Sequence, residues 1–566
     1  TRVWASHSSV SFEEDPGSKK AEGQRMSSKD NAMDHVVFVM FENRSFDNLL
    51  GHLYAPDDGK QFEGVIGKEL SNPVPAWAQH QPPDGSGVVT YEVATDMDSP
   101  NPDPGEEWFH TNTQLFGTMD DHNRFKYEVT APYNVPPAGA KPTMDGFVQD
   151  YISFVTAETG KQPTYEQYRK IMVGYTPEQV PVLNGIAKDF GVFDHWFCEV
   201  PSQTFMNRSF WTAATSCGGV VNAPASHWFK DNIAETIFDR LESKGKTWKI
   251  YVREPDPISF TAIIHWPRLK DRLDNVRPFS EFKKDAANGT LPDFCLIEPN
   301  LIVGHGDYHP PAAHALVEGQ DIPVDPPSPI MSGEAFLDEV YSAYKAMRSE
   351  TGANVFNTPL LIGWDEPGGT YDHVAPGAVP PPDAAAPAGQ FGFTFDRSGY
   401  RVPAVVVSPW VAQGEVFNAE HRHTSLLATL RKLWDLGEPF TERDKAAAPI
   451  DYVFTLDTPR DPDTWAQPVA QPLTPEHIEW ETLHRQLSGL GQAALPGLIQ
   501  LAKDKGLQLP PEVEAPDFKL TPQLAWDVAR LAMAHYFRAL GPDEQELATI
   551  QKRVLDATNT EVKRKS

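Results

Sequence analysis

"HVVFVMFENRSFD", residues 35–47, is the stretch whose reading decides the fold. Residues 36–40, "VVFVM", are apolar without interruption, and the run breaks into a carboxylate, an amide and a guanidinium at Glu42, Asn43 and Arg44. A strand with one wet face alternates apolar and polar residues. One that is apolar throughout is buried on both faces, as in a largely parallel sheet with helices on each side. Open α/β sheets bind ligands at the carboxyl ends of their strands. Unpaired polar groups are costly there, so this cluster is either a turn with solvated side chains or the edge of a site that holds something positive.

Three further runs share the pattern: "FCLIE" (294–298), "PLLIGW" (359–364) and "VPAVVV" (402–407). Amphipathic helices are predicted between and after them. In "SGEAFLDEVYSAYKAMRSE", Ser332 reads as the N-cap, and Phe336, Leu337, Val340, Tyr341, Tyr344 and Met347 recur at helical spacing. In "HTSLLATLRKLWDLG", Leu426, Leu427, Leu430, Leu433 and Trp434 form an apolar face, with Gly437 as the stop. The alternation predicts an α/β sandwich. Proline, 52 of 566 residues, is about twice its usual share. It concentrates in stretches such as "NPVPAWAQHQPPDG" and "VPPPDAAAPAG", which read as long ordered loops over the scaffold.

Polar, aperiodic residues 1–31 read as a mobile leader, 32–460 as the α/β core, and 461–566 as a helical C-terminal region. The last packs on the core or mediates self-association. Lys and Arg total 49 against 78 Asp and Glu, a net charge of −29 that argues against a nucleic-acid partner. No run reaches the roughly 18 apolar residues of a membrane span, so a soluble chain is expected, with at most transient contact at a membrane surface. No signal-peptide pattern follows Thr1; a cytoplasmic location is favoured slightly over an exported mature form. Cys198, Cys217 and Cys295 are odd in number and widely spaced, which implies no disulfide framework and leaves room for one bridge.

Acidic residues follow three of the four predicted strands: Glu42, then Glu298, then Asp365 and Glu366 in "GWDEPGGTYDHV". Ser408 and Trp410 follow the fourth. Carboxylate, amide and hydroxyl oxygens converging from separate loops suit a hard cation, although "DEPGG" alone also reads as a solvated turn. His110, His305, His309, His314, His373, His421 and His423 lie in or beside these loops. Singly, each reads as a surface or satisfied structural histidine; together they suit a site that stabilises anionic oxygens and protonates a leaving group. Zinc ligation stays open, with "HRH" at 421–423 the nearest approach to a pattern. "PSQTFMNRSF" offers Ser202, Thr204 and Ser209 as hydroxyl nucleophiles and contains no GxSxG elbow.

Taken in order, "HVVFVMFENRSFDNLLG", "VPSQTFMNR", "LPDFCLIEPN", "YHPP", "WDEPGGTYDHV", "RVPAVVVSPW" and "HTSLLATLRKLW" resemble the successive motifs of the bacterial, fungal and plant phosphoesterase family. That family includes non-specific phospholipases C and acid phosphatases of the AcpA type, within the alkaline-phosphatase superfamily. The resemblance implies an alkaline-phosphatase-like three-layer α/β/α sandwich and a phosphoesterase catalytic domain over residues 32–460. It implies one divalent metal ion, Ca, Zn, Mg or Mn, held by Glu42, Asn43, Asp365, Glu366 and Thr204, with Thr204 also the nucleophile and Ser202 the fallback. His110, His309 and His373 would line the phosphate pocket, and one histidine would protonate the leaving alcohol.

Asn207 and Arg208 would brace the nucleophile loop or bind phosphoryl oxygens, Arg208 alternatively forming a buried salt bridge. His423 would also face phosphate, although Arg422 stands where the family usually has aspartate. Met206 stands where proline is common. Thr204 and Glu366 are the phospholipase-like choices, so a phospholipid or other phosphodiester substrate is expected. A broad-specificity acid phosphatase is the alternative, and a non-catalytic metal- or anion-binding scaffold the alternative of another class. No C-x-P-x-R signature of a formylglycine sulfatase is present.

Overall fold

The computed structural model describes residues 28–473, apart from 255, 257–258, 302–305, 312–314, 318–319, 323–328 and 384–387, together with positions 499, 528, 531 and 552. Most of the predicted leader, His305, His314 and the predicted C-terminal helices lie outside the described residues. Eight strands form the central sheet: β1 (Val36–Phe41), β2 (Gly191–Phe193), β3 (Trp248–Val252), β4 (Val276–Pro278), β5 (Phe294–Glu298), β6 (Leu360–Trp364), β7 (Ala404–Val407) and β8 (Glu415–Phe417). Their spatial order is β8-β2-β7-β6-β1-β5-β3-β4. β1 sits at the centre, parallel to β5 on one side and β6 on the other.

All six residues of β1 are buried, as its unbroken apolar run requires. Successive side chains of a strand point to opposite faces, so Phe38 and Phe41 report on different layers. Phe38 meets Trp211 of helix α4 (Thr204–Ala213) edge-on at 5.3 Å. Phe41 meets Phe336 of helix α7 (Pro329–Lys345) at 6.2 Å. On the first face α4 packs with α5 (Ile237–Ser243) and α8 (Thr424–Trp434). On the second, α7 packs with α3 (Pro181–Asp189) and α6 (Phe279–Asn288). The architecture is therefore an α/β/α sandwich. Each fully buried Val, Leu or Phe of the sheet contributes roughly 1.5–3 kcal/mol through removal from water.

Three local expectations are corrected. α7 begins at Pro329, so Ser332 lies inside it; proline at the first helical position lacks only an N–H that would have no partner there anyway. α8 ends at Trp434, three residues before the predicted stop, because Asp435 takes the left-handed conformation (φ 50°). β7 runs antiparallel to both β6 and β2. Its carboxyl end therefore points to the opposite edge from those of β1, β5 and β6, and Ser408 and Trp410 leave the candidate site with it. Trp410 instead donates its indole N–H to the Phe356 carbonyl at 2.7 Å, on the amino side of β6.

Between β1 and β2 the chain makes its longest excursion, which carries α1 (Trp108–Phe116) and α2 (Phe147–Thr159). A second apolar core holds it together, with Leu115, Phe147, Tyr151 and Met172 packed on Tyr371 and Tyr400 from the segments after β6 and before β7. Packing also passes the predicted boundary at 460. Trp465 packs edge-on to Phe190 at 4.9 Å and the Tyr341 hydroxyl donates to the Ala466 carbonyl. Of the predicted leader, Lys29–Asn31 form a 3-10 turn. Cys198, Cys217 and Cys295 are free thiols. Among the described residues no helix is long and apolar enough to cross a membrane.

Candidate active site

Three loops meet above the carboxyl ends of β1 and β6: residues 42–45, 103–107 and 365–370. The β6 ladder continues into them, since Asp365 N–H donates to the Phe41 carbonyl at 3.1 Å. Asn43 adopts φ 57°, a left-handed geometry that asparagine tolerates. Gly368 and Gly369 also have positive φ. A Cβ on Gly368 would lie 2.6 Å from Asn43 Cβ, and one on Gly369 would lie 2.7 Å from the Gly105 carbonyl oxygen. This Gly-Gly turn thus lets all three loops touch.

Glu42, Asn43, Thr204, Arg208, Asp365 and Glu366 are all at most 1% exposed. Arg208 reaches up from α4 and lies 3.1 Å from Asp365 Oδ2 and 3.3 Å from Glu42 Oε1. It is the buried salt bridge beneath the site. Burial lowers its pKa, but Asp365 and Glu42 outweigh that and raise it. Asp365 Oδ1 accepts the Glu366 N–H at 2.8 Å. Burial still pushes the Asp365 carboxyl up to about 6, against the pull of Arg208. Glu366 is raised well above the usual carboxylate range, first by burial and then by the charges of Glu106 and Asp365.

Thr204 is the first residue of α4, after the N-cap Gln203, whose side chain makes no capping hydrogen bond. Thr204 Oγ1, Asn43 Oδ1 and Glu366 Oε1 are buried and have no hydrogen-bond partner among the described residues. Buried oxygen acceptors are normally satisfied, so three of them beside carboxylates raised first by burial and then by neighbouring negative charge fit a hard cation. The carboxylates of Glu42, Asp365 and Glu366 are not among the groups whose ligand atoms all lie within 4.8 Å of one another. Arg208 draws Glu42 and Asp365 towards itself.

The remaining predicted residues separate. Asn207 braces the 199–203 loop ahead of Thr204: Oδ1 accepts from Glu199 and Val200 N–H, both at 2.9 Å, and Nδ2 donates to the carbonyls of Val200, Ser202 and Gln203. With every donor and acceptor engaged it does not bind phosphate in this arrangement. Ser202 donates its hydroxyl to the Val220 carbonyl at 2.6 Å. His423 is likewise spent on structure. Its Nε2 donates to the Asp365 carbonyl at 2.6 Å, Nδ1 accepts the Trp196 indole N–H at 3.1 Å, and burial lowers its pKa.

Of the three histidines that the resemblance places in the phosphate pocket, His309 meets the Asn43 loop, and His110 lies against the 103–107 loop with its Nε2 3.8 Å from Glu107 Oε2. His309 Nε2 is 2.8 Å from Asn43 Nδ2 and 3.4 Å from Glu106 Oε1. His373 belongs to a neighbouring ion network: Nδ1 to Asp47 Oδ2 at 2.6 Å and Nε2 to Glu63 Oε1 at 2.9 Å. Arg401 supplies the positive charge there, 2.7 Å from Asp47 and 3.0 Å from Asp372. His110 pairs with Asp150 at 2.8 Å and pins α1 to α2; the charges that act on it are Asp150, Glu107 and Glu158. Glu298, a strand-end candidate, caps the short helix Phe260–Ile264 by accepting the Phe260 and Thr261 N–H groups.

Burial opposes the charged form of His110, but Asp150 prevails and raises its pKa to about 9. A histidine whose pKa is higher folded than unfolded contributes stability that is complete below about pH 6.5 and lost as pH rises through 9. Thermal unfolding is therefore expected to show a falling Tm between pH 7 and 9.5, on the order of 2–3 kcal/mol of lost stability. Asp150→Asn should flatten that slope. An unchanged slope in Asp150→Asn would assign it to other groups.

Asp103 and Glu106 complete the loop cluster and were not among the predicted site residues. Their signal lay in "DPGEEWFH", where proline and glycine mark a turn carrying three carboxylates, but nothing local shows that this turn meets Asn43. The Asn43 amide donates to Glu106, and that contact joins the first loop to the second.

A floor of this kind, with an activatable hydroxyl at a helix N-terminus and oxygens arranged for a cation, suits hydrolysis of an anionic ester. The protein is a hydrolase of phosphoric esters. The chain belongs to the phosphoesterase family, whose sequence profile matches residues 33–437. Non-specific phospholipase C6 of Arabidopsis thaliana is 34% identical over 450 residues, covering 75% of this chain and 73% of that protein. Phospholipase C B of Mycobacterium tuberculosis is 23% identical over 474 residues, covering 76% and 79%. A crystal structure of a protein in the alkaline phosphatase superfamily from Vibrio parahaemolyticus aligns with 60% of this chain and 81% of that one, at 13% identity and a TM-score of 0.29, a likeness too slight to bear on the site.

Proposed function

We propose that the protein is a cation-dependent phosphodiesterase of the phospholipase C type that works through a covalent phospho-threonine. The observation that carries this reading is the set of buried oxygens without hydrogen-bond partners among the described residues, Thr204 Oγ1, Asn43 Oδ1 and Glu366 Oε1, beside the Glu42 and Asp365 carboxylates that Arg208 meets. Held by Glu42, Asn43, Thr204, Asp365 and Glu366, a divalent cation would lower the pKa of the threonine hydroxyl and polarise a phosphoryl oxygen.

Thr204 Oγ then forms a bond to phosphorus as the ester P–O bond on the opposite side breaks. The hydroxyl proton passes to solvent, and the leaving oxygen takes up a proton on the His309 side of the site, so that it departs as a neutral alcohol. Water next splits the phospho-threonine, restoring the hydroxyl and releasing a phosphate monoester. Asn207 holds the 199–203 loop so that Thr204 keeps its place, and His423 holds Asp365 through its carbonyl.

A lipid leaving group suits the surroundings. Trp108, two residues after Glu106, borders an apolar cavity of about 830 Å³ lined also by Val135, Pro136, Phe391 and Phe393. Turnover of phosphatidylcholine and bis-p-nitrophenyl phosphate should exceed that of p-nitrophenyl phosphate. Chelation should lower all three by at least about 100-fold, with recovery on adding Ca, Mn, Mg or Zn. A preference for monoesters without lipid cleavage would replace this reading with a broad acid phosphatase, and no turnover of any ester would replace it with a binding scaffold.

A further inference from the structure

The cavity beside Trp108 is bounded by α1, the 135–142 loop and the stretches 375–378 and 391–397. Its wall is largely aromatic: Trp108 stacks on Phe391 at 5.9 Å with the rings 8° from parallel, and meets Phe393 at 5.4 Å. Two polar groups interrupt that wall. Trp108 is 3% exposed, and its indole N–H has no hydrogen-bond partner among the described residues. Arg397 Nε is also buried and has none either. Both side chains line the same cavity. Buried donors are normally satisfied, so two left open on one apolar cavity point to an oxygen acceptor that arrives with an apolar ligand.

The guanidinium is held in place without being neutralised. Its Nη2 donates to Asn112 Oδ1 at 2.7 Å, one turn of α1 beyond Trp108. It also lies 4.9 Å from the Phe116 ring and 5.7 Å from the Phe393 ring, contacts that steady a cation and supply no formal negative charge. Burial pulls its pKa down to about 10, against the upward pull of Asp396, which is exposed. The cavity wall also continues in chain into two of the three loops of the Thr204 site. Trp108 stands two residues after Glu106, which the Asn43 amide meets, and Ala375 stands nine residues after Glu366.

We propose that Arg397 and Trp108 donate hydrogen bonds to an acyl-ester carbonyl of the lipid leaving group, and so select diacyl over ether-linked glycerols. The proposal rests on the reading that the Thr204 site cleaves a phospholipid. In such a lipid the ester carbonyls lie a few bonds from phosphorus on the leaving side, where the apolar chains begin. An ester carbonyl is thus the acceptor that the chain itself carries into an apolar wall, and a hydrogen bond from a charged donor is stronger than one between neutral groups. Arg397 takes no part in proton transfer; it acts on affinity and on the choice of leaving group.

Binding of the leaving group itself reads this contact without turnover. By calorimetry, the protein should hold dihexanoylglycerol at least about 10-fold more tightly than the dihexyl ether analogue, which has the same chains and no carbonyl. Arg397→Met and Trp108→Phe should each narrow that ratio, because the ester loses affinity and the ether does not. Thermal unfolding checks that the variants fold, and a general loosening of the cavity would weaken both ligands and leave the ratio in place. Equal binding of ester and ether by the wild type, or a ratio unchanged in Arg397→Met, overturns the proposal. So does Arg397-dependent binding of decanoate that is tighter than that of dihexanoylglycerol, which assigns the guanidinium to a free carboxylate. A wild type that binds neither glycerol yet hydrolyses bis-p-nitrophenyl phosphate overturns this inference and leaves a phosphodiesterase standing. Discrimination as expected without turnover of any phosphate ester supports the contact and overturns the proposed function.

Discussion

Thr204→Ala is expected to lower kcat on a chromogenic phosphodiester by about 10³-fold or more, the scale seen when a covalent nucleophile is deleted. Thr204 Oγ1 is buried at the first position of α4 and has no hydrogen-bond partner among the described residues. Its loss therefore removes chemistry more than fold, and Tm should move little. Thr204→Ser keeps the hydroxyl and should retain much of the rate. Ser202 cannot easily take over, since its hydroxyl is committed to the Val220 carbonyl. Rapid acid quench during turnover should recover a phosphorylated peptide containing residue 204. Full activity in the Thr204→Ala, Ser202→Ala double variant would end the covalent reading.

Arg208→Met is expected to have the largest effect on stability. The guanidinium is fully buried and lies against two buried carboxylates, Glu42 and Asp365. Removing one partner of such a cluster typically costs about 3–5 kcal/mol, because the remaining charges have no compensation. The loss should be greatest in chelated protein, where Arg208 stands against those two carboxylates without help from a bound metal ion, and partly reversed by saturating divalent cation. A Tm in chelator equal to that of wild type would mean that the carboxylates are neutralised by protonation instead. Lysine is not an adequate replacement, since it lacks the planar fork that spans two carboxylates.

Much of this molecule was legible from residue order. The apolar runs became β1, β5, β6 and β7 within a residue or two, because a strand buried on both faces must be apolar throughout. Glu42 and Asp365 could be expected in one place because parallel neighbouring strands bring their carboxyl ends to the same edge. The direction of β7 was not legible. Its apolar run reads alike in either sense, and only its pairing with β6 and β2 moves Ser408 away from the site.

Histidine roles were the least legible of all. A histidine beside a catalytic motif reads the same whether its ring faces substrate, a structural carboxylate or a backbone carbonyl. His110, His373 and His423 each found a partner from a distant segment, Asp150, Asp47 and the Asp365 carbonyl respectively. His309 alone of the four meets the Asn43 loop.

By itself, the sequence determined that "VVFVM" is a strand buried on both faces and that the oxygens after it stand at its carboxyl end, because local hydrophobic pattern and strand direction dictate both. Tertiary structure alone decided that Arg208 lies beneath that site and that Asp103 and Glu106 stand beside it. These are contacts between segments more than sixty residues apart, set by how loops close over a sheet, and no local pattern encodes such closure.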